Sequence, residues 1–221
     1  MRVEKPSISD AAQNTPNCWA GFAPGLDSAL EADLSFEPND IRAGVSLLDS
    51  PLLSDPKPEV RYVGWNEYVV ARNSNTQNKL ATTDLKPCVA VCGYDEVTQI
   101  GFLAHVFNEQ CFQNSFGAIV EDIDRLDQSP KHFRVSLVSG HSDQDSSIVQ
   151  TILQTLIHHN RTDLTFDIAH MELVNNPTGH SVAIDLSNGH LYRYELDVAD
   201  LAGSTFEDFR RTVTCSNMVR A

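Results

Sequence analysis

Cys88 opens one apolar run, Cys88-Val89-Ala90-Val91-Cys92, and His105 lies inside the next, Gly101-Phe102-Leu103-Ala104-His105-Val106. Both runs read as buried strands. The intervening Gly93-Tyr94-Asp95-Glu96-Val97-Thr98-Gln99 is rich in turn residues. A hairpin folding about Glu96 and Val97 opposes residues whose numbers sum to 193, and Cys88 faces His105 in that register. Directly opposed residues of an antiparallel pair have Cβ atoms about 4.5–5.5 Å apart. A thiol beside an imidazole is the minimum apparatus for a cysteine nucleophile. Free cysteine is also among the most buried residue types, so a structural thiol is the competing reading of Cys88. A lone histidine on an apolar strand is commonly a satisfied core residue, and the register argument sets His105 apart. Cys92 points to the same face as Cys88, deeper in the apolar run. Cys18, Cys111 and Cys215 read as structural or surface thiols.

Elements to position such a pair are visible around it. Val60–Ala71 reads as one strand and Asn73–Thr76 as a polar loop. Phe112, Phe116, Ile119, Val120 and Ile123 recur at helical spacing and predict a helix over 109–127. Phe133–Val138 predicts a strand. Val149, Ile152, Leu153, Leu156 and Ile157 predict a second helix, with Asp143 or Asp145 as its N-cap. Leu164–Leu173, His180–Leu186 and His190–Glu195 predict strands, the last two joined at Asn188-Gly189 by a type I′ turn. Phe206, Phe209 and Val213 suggest a terminal helix. Strands interspersed with helices indicate an α+β layered domain.

The first 59 residues differ from the rest. They hold seven of the ten prolines, and residues 1–60 carry ten acidic side chains against four basic ones. Leu26, Leu30 and Leu34 allow a short helix, and Leu47, Leu48, Leu52 and Leu53 are too apolar for a purely disordered tail. The organisation expected is an acidic, proline-rich extension over 1–59, a domain over 60–195, and a C-terminal helical extension over 196–221.

Composition narrows the function. The net charge of −14 disfavours nucleic acid, which needs basic patches. No apolar run reaches the roughly 18 residues of a membrane span, and the first ten residues lack the apolar core of a signal peptide. Five irregularly spaced cysteines argue against a disulfide framework and for a reducing, cytoplasmic setting. The histidines form no convincing metal site: His158-His159 end a helix, His141 with Asp143 and Asp145 is a loop cluster, and His170 with His180 lacks a third ligand.

The pattern Thr82-x-x-Leu85-x-x-Cys88-Val89-Ala90-Val91-Cys92-x-Tyr94-Asp95, followed by Ala104-His105-Val106, resembles the CheD chemoreceptor glutamine deamidases. The likeness extends back through Tyr62–Tyr68 and forward, more loosely, to Ser181–Asp185 and Asn188-Gly189. In that family a threonine six before the cysteine and a histidine seventeen after it complete the site, positions held here by Thr82 and His105. Thr82 can equally be read as a β-branched residue at a strand edge. The resemblance implies an α/β/β/α sandwich and a cofactor-free Cys–His–Thr hydrolase. Its partner would be a protein substrate carrying an exposed glutamine, and the enzyme a monomer. The same fold occurs in cytotoxic necrotizing factor toxins, so a virulence effector delivered into a host cell is as compatible as a chemotaxis enzyme. Transglutaminase, cysteine protease and inactive binding module are the competing outcomes on this fold. Lys86-Pro87 replaces the Gly-Ser usual before the family's cysteine. Pro87 offers no N–H to an oxyanion, the Cys88 amide remains, and Lys86 is placed to lower the thiol pKa.

Overall fold

The computed structural model describes residues 52–53, 60–76, 78–140, 147–173, 180–194 and 217–221, all within the compact unit Ile41–Ala221. The helix expected about Leu26–Leu34, the caps Asp143 and Asp145, and the helix about Phe206, Phe209 and Val213 lie outside these residues.

The described elements are β1 (Leu52–Leu53), β2 (Val60–Tyr62), β3 (Glu67–Arg72), β4 (Lys79–Thr82), β5 (Val89–Asp95), β6 (Ile100–Val106), α1 (Glu109–Leu126), β7 (Lys131–Ser139), α2 (Ser147–His158), β8 (Leu164–Leu173), β9 (Val182–Asp185), β10 (Leu191–Tyr194) and β11 (Val219–Arg220). They form an α+β arrangement of two open sheets and two helices. One sheet has the order β1-β10-β9-β4-β2, the other β11-β3-β6-β5-β7-β8. The end of the chain adds a short strand parallel to β3 at a place where a helical extension was expected.

Side-chain alternation sorts the core into two faces of the six-stranded sheet. Val89 and Val91 of β5, with Phe102, Ala104 and Val106 of β6, join Phe112, Phe116, Ile119 and Ile123 of α1 and Ile152 and Leu156 of α2 in one cluster. Cys88, Ala90, Cys92 and Leu103 turn the other way and meet Leu80, Val182 and Ile184 of the five-stranded sheet. β5 and β6 are therefore buried on both faces, which explains their unbroken apolar sequence. Gly93 sits opposite Phe102, and a Cβ there would lie 2.0 Å from the Phe102 ring, so the glycine makes room for the aromatic that organises the helix-side core. Helix α1 starts where Asn108 caps it, its side chain accepting from the N–H groups of Gln110 and Cys111.

The single strand expected over Val60–Ala71 is two strands in different sheets. β2 pairs with β4, β3 pairs with β6, and residues 63–66 cross between them. Gly64 and Asn66 break the run. Asn66 is left-handed (φ 52°), a conformation asparagine tolerates better than most residues, and the Glu67 N–H closes the turn on the Gly64 carbonyl at 3.1 Å. The Asn188-Gly189 turn also differs from expectation. A type I′ turn needs positive φ at both central residues, and only Gly189 has it (φ 72°). The hairpin closes instead through a longer loop, with Asp185 Oδ1 accepting from the Ser187 N–H and hydroxyl and the Asp185 carbonyl accepting from the Gly189 N–H.

Asn66 is fully buried and central to this crossing. Its N–H donates to the His105 carbonyl at 2.9 Å, and its Oδ1 accepts from the Phe107 and Asn108 N–H groups at 3.1 and 3.2 Å. Asn66→Ala leaves two buried donors unpaired and places a Cβ residue in left-handed space, an expected loss of about 3 kcal/mol or more. Asn66→Gly keeps the backbone and loses only the side-chain bonds, so its urea midpoint should fall between the two.

Candidate active site

A short loop delivers Cys88 to the space between the sheets. Leu85, fully buried, anchors it: the Leu85 N–H donates to the His180 carbonyl at 3.0 Å, and the Leu85 carbonyl accepts from the Gly140 N–H at 2.7 Å. Asp84 is left-handed (φ 59°), the Lys86–Pro87 peptide is cis, and the Ser139 hydroxyl donates to the Cys88 carbonyl at 2.9 Å. β4 and β7 thus hold both ends of the approach to the thiol.

The hairpin register is shifted by two from the expected one. Its loop is Glu96–Gln99, Asp95 pairs with Ile100, and Ala90 rather than Cys88 stands opposite His105. A slip of two conserves the face, because side chains alternate with period two. Cys88 and His105 are consequently diagonal neighbours on the inter-sheet face, a relation that spans about 7–8 Å between backbones and stays within reach of long side chains.

Thr82 comes from the other sheet. Its Oγ1 lies 2.6 Å from His105 Nδ1 and 2.7 Å from the Val63 carbonyl oxygen. A carbonyl only accepts, so the single hydroxyl proton of Thr82 goes to Val63, and the hydroxyl must accept from Nδ1–H. That fixes the imidazole as the Nδ1–H tautomer and leaves the lone pair on Nε2. The Nε2 atom is buried and has no hydrogen-bond partner among the described residues. Burial pushes the His105 pKa down to about 3. Burial first, then the Asp84 charge, push the Cys88 thiol up to about 12, with its own backbone N–H pulling the other way. The unliganded pair is therefore a neutral thiol and a neutral base, and proton transfer must accompany attack rather than precede it.

Lys86 does not act as expected. Its side chain is exposed, and the charge felt by the thiol is that of Asp84, which raises the pKa. Cys92 and Cys111 are buried free thiols; Cys18 and Cys215, like His141, lie outside the described residues. His158 and His159 do end α2. Among the described residues no group of three metal-ligating side chains is placed to hold an ion, and no helix is long and apolar enough to cross a membrane. The Val63 carbonyl and Asn66, which grip Thr82 and the His105 backbone, were missed in the sequence. The only signal for them was the Gly64-Trp65-Asn66 turn chemistry inside a strand-like run.

The buried base makes folding pH-dependent. His105 titrates near 6.5 when unfolded and at about 3 when folded, so below pH 6.5 the unfolded chain binds a proton that the folded one refuses. Its contribution is intact above that pH and is lost as the pH falls toward 3, with a slope approaching about 1.4 kcal/mol per pH unit. Burial lowers the His180 pKa too, in the same sense. Urea midpoints between pH 7 and 4.5 should fall steeply in the wild type and less in His105→Gln.

No protein-family model matches the chain, and no curated protein matches it.

Proposed function

We propose that the protein is a protein-glutamine deamidase with Cys88 as nucleophile, His105 as general base and acid, and Thr82 as the residue that orients the imidazole. The observation that carries this reading is the Val63–Thr82–His105 chain, which presents an unpartnered Nε2 lone pair on the face that also bears Cys88. An orienting group, a base and a nucleophile in that order are what cysteine acyl transfer requires.

The steps follow from the groups present. As Cys88 Sγ bonds to the side-chain carbonyl carbon of a glutamine, its proton passes to His105 Nε2. The Cys88 N–H stabilises the oxyanion, since Pro87 has no N–H to offer. Nε2–H then protonates the departing nitrogen, ammonia leaves, and a γ-glutamyl thioester remains. Water gives a proton to Nε2 and attacks the thioester, and the thiolate leaves and is reprotonated, releasing glutamate. The reaction uses no metal or cofactor. The domain responsible is residues 60–195, in an α/β/β/α sandwich whose fourth layer covers the five-stranded sheet. We place it in a cytoplasm, the producer's own or that of a host cell reached as an effector, acting as a monomer on an exposed glutamine of a protein.

A catalytically inactive binding module is the second reading, favoured by the thiol being only 2% exposed. Ammonia release from unfolded casein, with mass spectrometry of the product in 18O-labelled water, separates the possibilities. Deamidation predicts ammonia and one labelled oxygen per converted glutamine, abolished in Cys88→Ser. An added primary amine diverts a transglutaminase to an amide, a protease cuts the chain, and a binding module releases nothing.

A further inference from the structure

The pairing of β7 with β8 contains one irregularity, between Val135 and Ser136, and its consequence is chemical. Before it, Leu164, Phe166 and Ile168 oppose Lys131, Phe133 and Val135, and the last five of these apolar or stem-buried positions belong to the helix-side face. Beyond it, Ser136 pairs with His170, Leu137 with Met171, and Val138 with Glu172. The extra residue shifts the phase by one, so Met171 and Leu173 continue the helix-side face while His170 and Glu172 turn toward the other sheet. Without the bulge both polar groups would point into the phenylalanine core. Bulges re-aim side chains in this way.

What they turn toward is the face that bears the candidate active site. Glu172, Val138, Ala90 and His105 form one straight row across four strands. At about 4.8 Å per strand the row puts Glu172 some 14 Å from His105. Glu172 is 4% exposed, and its Oε2 lies 3.4 Å from His170 Nε2, outside hydrogen-bonding geometry. From the opposite sheet comes His180, 7% exposed, with the parity of Val182 and Ile184, which face the same layer. Its carbonyl accepts from Leu85 in the Cys88 loop, and its ring lies within the electrostatic reach of Glu172 and of Arg193 on β10. The Nε2 atoms of both histidines are buried without a hydrogen-bond partner. A carboxylate flanked by two unfilled imidazole nitrogens is a set of acceptors awaiting a donor-rich cation.

We propose that Glu172, His170 and His180 form a subsite for the guanidinium or ammonium group of a basic residue that lies a few positions from the target glutamine. Its purpose rests on the deamidase reading; its binding chemistry does not. The separation along the row is spanned by about four extended residues, so one substrate segment on the inter-sheet face reaches both sites. A chain with net charge −14 adds long-range attraction for such a basic segment.

The test is a titration of the full-length protein with agmatine, followed through the side-chain resonances of His170 and His180. Saturable shifts at both histidines are expected, with affinity about tenfold weaker in Glu172→Gln, the loss of one charge-assisted hydrogen bond. N-butylurea, a neutral ligand of similar length, should bind the wild type at least as weakly. The same shifts should persist in Cys88→Ser. Absence of saturable shifts in the wild type, or equal affinity for agmatine and the urea, overturns the subsite whether or not Glu172→Gln folds. Loss of deamidation with agmatine binding intact would instead sink the enzymatic reading alone.

Discussion

Cys88→Ser and His105→Ala are each expected to lower the rate of ammonia release by at least about 10⁴-fold, and the double variant to be no slower than the worse single. The non-additivity is the informative part. A serine hydroxyl in place of a thiol is a far weaker nucleophile, and without Nε2 nothing buried nearby takes the thiol proton. Because the resting thiol is pushed up to about 12, the general base is needed within the attack step itself. Either deletion therefore disables the same event. Rates that fell by the product of the two single effects would show that the two side chains act independently and would break the proposed pairing. Folding is a separate matter: removing the imidazole takes a fully buried group from the inter-sheet layer, so each variant's urea midpoint should accompany its rate.

Thr82→Val is the second sharp case. Valine keeps the β-branched shape in β4 and deletes one oxygen. Two consequences follow from the geometry. The Val63 carbonyl and the His105 Nδ1–H both lose their buried partner, an expected stability loss of about 2–4 kcal/mol. The imidazole is also released to the other tautomer, in which Nε2 carries the proton and cannot accept one. Activity should fall by roughly 10²–10⁴-fold, as when other triads lose the group that orients the histidine. Thr82→Ser retains the hydroxyl and should stay within about tenfold of the wild type. Imidazole ¹⁵N shifts separate the catalytic from the merely structural effect. The wild type and Thr82→Ser should show Nδ1 protonated, and Thr82→Val a mixture. An unchanged tautomer in Thr82→Val would mean that something other than Thr82 orients the ring.

Much of this arrangement was legible in the chain. The apolar period of 3.6 residues placed α1 within one residue of its end and identified the buried face of α2, because an amphipathic stripe must meet a core to be stable. Alternation and bounding turns located β5, β6, β7 and β8. The side of the sheet on which Cys88 and His105 lie was also readable, since parity survives a register slip of two. The register itself was not, because loop length in a hairpin depends on how Asp95 and Ile100 pair rather than on the midpoint of the polar stretch. Thr82 was singled out by resemblance alone. Periodicity has no means of saying that the end of β4, in one sheet, stops 2.6 Å from an imidazole in the other.

What only the tertiary structure decided is long-range and backbone-borne. The division of 60–71 between two sheets hangs on the left-handed Asn66. The tautomer of His105 hangs on the Val63 carbonyl, a group every residue possesses and no sequence pattern marks. The inward turn of His170 and Glu172 hangs on one extra residue in the β7–β8 ladder. Side-chain type and spacing determined which groups face a common layer, because local sterics set strand and helix periods. Which of them touch was set by how two sheets stack, and stacking is fixed by burial summed over the whole core rather than by any one segment.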